Sequence, residues 1–317
     1  MKNIKKLISL TLLCFIFLGA LSGCVVKNEK ITVVCTIFPI YDWARQVVGD
    51  SDTIELKLLV SDGADLHSFQ PTAADAIAIR TADIIIRVGG VDDGFVNDLL
   101  EESKNTDLRL SDAEGVTLRH SAESSEHSHD DGHDHIVDEH IWLSLNNAMA
   151  SVEAICAVIS TADPENADLY RQRADTYIES LAALDLQYRQ VTEEAQNPRV
   201  VFADRFPFIY LTSDYNIEYA AAFEGCTTDA EAGFDTILDL SQTLNEWELS
   251  YLCVTETSDR RLYDAVCETV KDRQISLAVF DSMQSVKKVD VESGETYLGI
   301  MKKNLKTLAT VFGVKEI

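Results

Sequence analysis

Apolar runs alternate with amphipathic segments along most of this chain, a pattern typical of parallel βαβ units. At the start of the pattern, the run ITVVCTIF is predicted to form a buried strand that stops at Pro39. The predicted strands of the first half are 31–38, 54–60 and 83–88, and its predicted helices are 42–48, 73–81 and 146–161. Together these elements indicate a first α/β domain.

The longest helical pattern begins near Pro164 and continues to Ala195. Its apolar residues follow one another at spacings of 4 and 3, which places them on one face of a single helix. They are Tyr170, Ala174, Tyr177, Leu181, Leu184, Tyr188 and Val191. At about 1.5 Å per residue, a helix of roughly 30 residues would be about 45 Å long and would run along two domains. Two helices with a break are disfavoured, because no Gly or Pro interrupts the pattern.

Beyond Pro198 the alternation resumes and predicts a second α/β domain of similar element order. The predicted strands are 199–202, 219–223, 251–255 and 275–280, and the predicted helices are one from 207 and those at 234–246, 260–271 and 297–312. The predicted domains are therefore an N-terminal α/β lobe at 31–162, a linking helix at 163–196 and a C-terminal α/β lobe at 197–317.

The first residues have the pattern of a lipoprotein export signal. Three lysines precede an uncharged apolar run at 7–20, and small residues lead directly to Cys24. This pattern predicts a signal peptide over 1–23, a lipid on Cys24 and a short tether at 24–30. The chain would then be anchored to a cell membrane on its extracytoplasmic face. An ordinary signal peptide with an incidental cysteine is the alternative, and no later stretch is predicted to span a membrane.

Charge and cysteine content narrow the function. The formal net charge of −26 disfavours nucleic-acid binding and favours attraction of cations. Outside the signal and Cys24, five cysteines remain, in no CxxC spacing, so buried single thiols are expected and one disulfide is the alternative. They are Cys35, Cys156, Cys226, Cys253 and Cys267.

All seven histidines lie at or before position 140, and they fall into two classes. His67, in a loop after a predicted strand, and His140, beside an apolar segment, border regular elements. His120 lies at the edge of an acidic, low-complexity loop at 120–139, and four others lie inside it: His127, His129, His133 and His135. That loop could collect zinc weakly, or it could be a solvated insertion with no specific task.

A zinc site needs three or four ligands, so two histidines are not enough. The second half contains no histidine and would have to contribute carboxylates. Asp281 is the best placed, directly after the strand predicted at 275–280, and Glu256 is the next candidate. No phosphate-binding glycine loop, GxSxG elbow or HExxH motif is present, so an enzyme is not predicted.

At these residues the chain resembles the metal-binding lipoproteins of ABC importers for zinc and manganese. The stretches that carry the resemblance are ITVVCTIFPIYDWARQVVGD at 31–50, GADLHSFQPTAADAIAIRTADIIIRVGG at 63–90, DEHIWLSLNNA at 138–148, DPENADLYRQRADTY at 163–177 and TYLGIMKKNLKTL at 296–308. The resemblance implies two α/β lobes, each with a parallel sheet flanked by helices, joined by one long rigid helix, with the metal in the cleft.

The resemblance also implies metal ligands at His67, His140 and Asp281. A third family ligand, normally His or Glu, would fall at Ala203, which cannot coordinate a metal. Water, Asp204, Glu256 or a loop histidine could take its place. The two histidines favour zinc over manganese, which prefers more oxygen donors.

The function that follows is capture of a divalent metal by a substrate-binding lipoprotein. The expected protein is a monomer that delivers its metal to an ABC permease and the ATPase of that permease. A surface adhesin or sensor lipoprotein with a structural metal is the alternative from another class. A metallohydrolase ranks third, because nothing near the open position at Ala203 supplies the pattern of a general base.

Overall fold

The computed structural model describes residues 30–61, 63–64, 66–100, 105–120, 137–224, 233–270 and 273–315. From Ile31 onwards the chain forms one compact unit. The predicted signal and Cys24 lie outside the described residues, as do Cys226 and the histidines at 127, 129, 133 and 135. The predictions made for them therefore stay predictions.

The first sheet contains four parallel strands in the order β2-β1-β3-β4. They are β1 (Ile31–Cys35), β2 (Ile54–Leu58), β3 (Ile84–Arg87) and β4 (Thr106–Arg109). Successive residues of β1 pack into different apolar clusters, Val33 into one and Val34 into the other. Both faces of the sheet are therefore covered, which explains why its central strands are continuous apolar runs.

Four helices accompany this sheet: α1 (Phe38–Val48), α2 (Ala73–Thr81), α3 (Phe95–Leu100) and α4 (Leu145–Ala162). The prediction that the first strand extends to residue 38 was wrong. The strand ends at Cys35, and Pro39 lies in the first turn of α1, where its missing N–H costs no helical hydrogen bond. Helix α2 begins at a capping box between Thr72 and Asp75.

By length and apolar composition, α4 is the one helix among the described residues that could cross a membrane. No such stretch was predicted from the sequence. However, residues along the helix, including Leu145, Val152 and Ile159, are fully buried, and it packs against the long linking helix. In this structure α4 is therefore a core helix.

The long helix is present as predicted. It is α5 (Ala167–Glu194), 28 residues and so about 42 Å long, and it follows a 3-10 turn at Pro164–Asn166. All seven residues of the apolar stripe are buried. The helix contacts α1, α4 and the last helix of the chain, where the Tyr188 hydroxyl donates to the carbonyl of Met301 at 2.7 Å.

The second sheet has the same strand order as the first, β6-β5-β7-β8, and is also parallel. Its strands are β5 (Arg199–Phe206), β6 (Glu218–Glu224), β7 (Tyr251–Thr255) and β8 (Ser276–Phe280). The accompanying helices are α6 (Ile209–Asp214), α7 (Phe234–Glu246), α8 (Arg261–Thr269), α9 (Lys288–Glu292) and α10 (Tyr297–Phe312). The predicted two-lobe α/β fold is confirmed, whereas the domain boundaries at 162/163 and 196/197 stay a prediction.

Hydrogen bonds between the two halves position the loop after β8. The Trp142 indole donates to the carbonyl of Ser282 at 2.8 Å, and the Tyr297 hydroxyl donates to the carbonyl of Trp142 at 2.6 Å. All three residues are buried. The segment that follows His140 is thereby fixed against the loop that begins at Asp281.

The four described cysteines outside the leader are free thiols, as expected: Cys35, Cys156 and Cys253 are buried and Cys267 is partly exposed. Burial raises the pKa of the Cys35 and Cys253 thiols well above the usual value. These two groups are therefore inert, apolar parts of the core.

Candidate metal centre

His67 lies in a 3-10 turn, Leu66–Ser68, that follows β2. Leu66 is buried and anchors this turn in the core, whereas the His67 side chain remains 16% exposed. The carboxyl ends of parallel strands are the usual position of ligand sites in α/β sheets. The turn therefore presents the imidazole at the edge where a ligand is expected.

His140 immediately precedes a second 3-10 turn, Ile141–Leu143, whose three side chains are all buried. The imidazole is itself buried and packs edge-on against the Trp142 indole, with ring centroids 5.1 Å apart. The apolar turn therefore holds His140 at a fixed position and leaves its ring little freedom.

The structure brings the two predicted histidines together. Their Nε2 atoms are 3.3 Å apart. Each ring has a carboxylate on its other nitrogen: Asp92 Oδ2 lies 2.6 Å from His67 Nδ1, and Asp138 Oδ1 lies 2.9 Å from His140 Nδ1. An ionised carboxylate accepts hydrogen bonds, so each neutral imidazole carries its proton on Nδ1. Both Nε2 lone pairs then face the same point.

This arrangement has the chemistry of a metal chelate. Ligating histidines almost always donate their second N–H to a carboxylate, a carbonyl or water, which fixes the tautomer and raises the basicity of the ligand. Burial acts to raise the pKa of Asp92, but hydrogen bonding, above all with His67, keeps that pKa below its usual value. Asp92 is thus held ionised beside the ring that it orients.

A third side chain, Gln284, lies against both imidazoles. Its Nε2 atom is 2.8 Å from His67 Nε2 and 2.7 Å from His140 Nε2. The Gln284 side chain extends from the loop after β8, so the pair of histidines from the first half meets an amide from the second half. Sequence reasoning missed this residue, because only His, Asp and Glu were considered as ligands.

Glu139 supports the loop that carries Asp92. Its carboxylate accepts hydrogen bonds from the backbone N–H groups of Val91 and Asp92. It lies so close to Gly90 that a Cβ atom there would overlap it, so a side chain at this position would displace the end of Glu139. Burial, together with the charge of Asp92, raises the pKa of Glu139 to about 7.

Ala203, at the position where the resemblance implies a third ligand, makes apolar contacts. Ala203 is buried in a cluster with Val201 and Val254. The adjacent Asp204 accepts hydrogen bonds from the backbone N–H and the hydroxyl of Thr255, at 3.1 and 2.7 Å. This carboxylate is therefore engaged within the second sheet.

The two carboxylates suggested for the second half are also engaged locally. Asp281 accepts a hydrogen bond from the N–H of Met283 at 2.8 Å, and Glu256 accepts from the N–H and the hydroxyl of Ser282, each at 2.8 Å. Burial raises the pKa of Asp281, and burial with the charge of Asp281 raises that of Glu256 to about 7. Asp281 as a ligand stays a prediction.

Within the described ranges, no group of three or more His, Cys, Asp or Glu side chains is arranged to hold a metal ion. The pair of imidazoles and the Gln284 amide are the groups that converge. Asp92 and Asp138 were also missed by sequence reasoning. Asp138 lies two residues before His140 and Asp92 follows the end of β3, and those positions were the available signal.

The two parallel sheets and the long helix define a two-lobed α/β protein, in which the imidazoles of His67 and His140 face each other. This chain belongs to the family described as zinc-uptake complex component A, periplasmic, whose model matches residues 33–311.

Curated relatives of the chain are zinc proteins of bacteria. A zinc-binding lipoprotein, AdcA, of Streptococcus pneumoniae serotype 4 is 30% identical over 97% of this chain and 60% of its own length. The high-affinity zinc uptake system protein ZnuA of Bacillus subtilis is 24% identical over 92% of this chain and 90% of its own length. The chain thus spans about 60% of the length of the streptococcal relatives that it matches.

Solved structures show the same fold. The Zn(II)-bound ZnuA-like domain of Streptococcus pneumoniae AdcA matches with a TM-score of 0.71 and 24% identity, over 90% of this chain and 99% of that domain. The metal-dependent lipoprotein YcdH of Bacillus subtilis matches with a TM-score of 0.74 and 23% identity, over 90% of this chain and all of that one. At these identities the likeness concerns the fold alone.

Proposed function

We propose that this chain is the extracytoplasmic substrate-binding component of a metal ABC importer. It captures one divalent metal ion in the cleft between the lobes and delivers it to a membrane permease that is driven by an ATPase. Cys24 carries the lipid that anchors the protein to the membrane, and the chain acts as a monomer without catalysis. The observation that carries the proposal is the facing pair of Nε2 atoms, each backed by a carboxylate on Nδ1.

Zinc is the metal that fits best, with manganese as the alternative. Imidazole nitrogen suits zinc, whereas manganese prefers oxygen ligands. Two curated relatives with high coverage of this chain are named for zinc, while a solved structure of the same fold, from Candidatus Liberibacter asiaticus, holds manganese. We retain His67, His140 and Asp281 as the proposed ligands.

Metal titration of the whole chain tests this function. Isothermal titration calorimetry is expected to show one zinc ion per chain, and His67→Ala and His140→Ala are each expected to abolish stoichiometric binding. His120→Ala is the matched control, because His120 lies at the edge of the acidic loop, paired with Val137 in an isolated bridge. Stoichiometric binding that survives both of the first two substitutions would rule out this site.

Delivery to a permease is tested in cells. A strain that lacks this chain is expected to lose uptake of radioactive zinc at low external zinc, and the native chain is expected to restore it. The His140→Ala chain, which would still be exported and anchored, is expected not to restore uptake. Normal zinc uptake without the chain would favour an adhesin or sensor role instead.

A further inference from the structure

The amide of Gln284 lies where a third ligand of a metal held by the two histidines would lie. At Zn–N distances of about 2.05 Å, two ligands of a tetrahedral zinc ion stand about 3.3 Å apart. The Nε2 atoms of His67 and His140 are at that separation, 3.3 Å. The Gln284 amide atom, 2.8 and 2.7 Å from them, would need to retreat by only about 0.5 Å to occupy the third corner.

The Gln284 amide presents its NH2 group to both imidazoles. The two N–H donors of this NH2 group point towards the two imidazole lone pairs. These are the lone pairs that a metal cation would bind. An amide nitrogen has no lone pair available for a metal, whereas the amide oxygen does. Once a cation takes both imidazole lone pairs, the NH2 group loses its acceptors. The amide would then be better placed with its oxygen towards the centre.

Contacts at the other end of the Gln284 amide favour the same rotation. The Ser282 hydroxyl lies 2.8 Å from Glu256 Oε1 and 3.1 Å from Gln284 Oε1. A hydroxyl has one hydrogen, so the Ser282 hydroxyl cannot donate fully to both oxygens at once. If the amide turns over, its NH2 group donates to the Ser282 oxygen, and the Ser282 hydrogen goes to Glu256. The rotation therefore removes this competition.

The surroundings hold Gln284 in place for this role. Ser282 is buried, and its carbonyl accepts the Trp142 indole N–H at 2.8 Å. Met283 has a positive φ of 62°, and its N–H donates to the Asp281 carboxylate. A left-handed residue fixed by such a turn directs the next side chain, because the backbone there has few alternatives.

We infer that Gln284 is a metal ligand of this centre, and that its amide turns over on metal capture, exchanging the NH2 group that contacts both imidazoles for its carbonyl oxygen. This inference rests on the proposed function of metal binding. Gln284 thereby supplies a ligand from the second lobe, where Ala203 supplies none. The metal is then coordinated by two imidazole nitrogens and one amide oxygen. A carboxylate or water takes the fourth coordination position.

The Gln284→Leu variant of the whole chain tests the inference, with zinc affinity measured by competition against a chelator of known affinity. Leucine keeps most of the side-chain volume but cannot coordinate, so zinc affinity is expected to fall by about tenfold or more. Gln190→Leu is the matched control, because Gln190 is an exposed glutamine on α5 that bonds to Glu194. Thermal unfolding without metal checks that both variants fold.

A crystal structure of the native chain with zinc gives the second readout. The distance from zinc to Gln284 Oε1 is expected to be about 2.0–2.2 Å. A Gln284→Leu chain that binds zinc as tightly as the native chain, or more tightly, overturns the inference, and so does an amide that stays out of contact with the metal. Failure of the proposed function looks different, because native protein would then bind no zinc and His67→Ala would change nothing.

Discussion

At the level of single residues, the centre is built from two histidines that are oriented in the same way by different parts of the chain. His67 receives its carboxylate from Asp92, 25 positions further along, whereas His140 receives Asp138 from its own turn. The Asp138 side chain also accepts the backbone N–H of His140 at 2.9 Å. Asp138 thus fixes both the main chain and the ring of this histidine.

Asp138→Asn is expected to weaken zinc binding by about 10- to 100-fold, because a neutral amide orients the imidazole and raises its basicity less than a carboxylate does. Chelator competition measures the change. Asp112→Asn removes the same charge from a carboxylate that is 64% exposed and is expected to have little effect. Equal losses in both variants would instead indicate a long-range effect of net charge.

At the level of elements, the sequence pattern located α7, β7 and α10 at their observed bounds, since each has a clear apolar period and a clear boundary. It missed β4, whose short edge-strand sequence is largely exposed and shows no apolar run. It also missed α3 and α9, which are short. The first strand was predicted too long, because local apolar character does not distinguish the end of β1 from the start of α1.

One contact between elements joins the beginning of the fold to its last helix. Asp42 in α1 is fully buried and accepts the N–H of Tyr297, at the start of α10, at 2.8 Å. It also pairs with Arg45, whose guanidinium donates to the carbonyl of Glu295 at 2.9 Å. The first helix is thereby tied to the first turn of the last one.

Asp42→Ala is expected to lower the free energy of unfolding by about 3 kcal/mol, because it leaves the buried Tyr297 N–H without its acceptor and the partly buried Arg45 guanidinium without its carboxylate. Urea denaturation followed by circular dichroism measures this loss. Asp42→Asn, which keeps one oxygen for the Tyr297 N–H, is expected to cost less. Equal stability of Asp42→Ala and Asp42→Asn would show that the hydrogen bond to the Tyr297 N–H contributes nothing.

At the level of the whole molecule, the centre exists only because distant segments meet. His67 and His140 are separated by 73 positions, and His67 and Gln284 by 217. Each lies on a turn or loop held by buried neighbours, and the segments are joined through Trp142 and Tyr297. A metal bound there would contact both halves and would therefore stabilise the folded chain as one unit.

Zinc is accordingly expected to raise the thermal unfolding temperature of the whole chain. At a free zinc concentration 100 times Kd, binding stabilises the folded state by about 2.7 kcal/mol, which corresponds to roughly 5 °C. Differential scanning calorimetry measures the shift. Magnesium, which prefers oxygen ligands and retains its water, is the control and is expected to give no shift. A zinc effect matched by magnesium would argue against an imidazole site.

The sequence by itself determined the alternation of strands and helices, the long helix and the two histidines, because each of these depends on local periodicity or on a rare residue type in an unusual cluster. The tertiary structure decided what surrounds the histidines. Asp92 follows the end of a strand and Gln284 lies in a loop, but no local sequence pattern connects either residue with the histidines. They gain their role from the packing of two parallel sheets, which brings loops that are distant in sequence within hydrogen-bond distance of the same pair of rings.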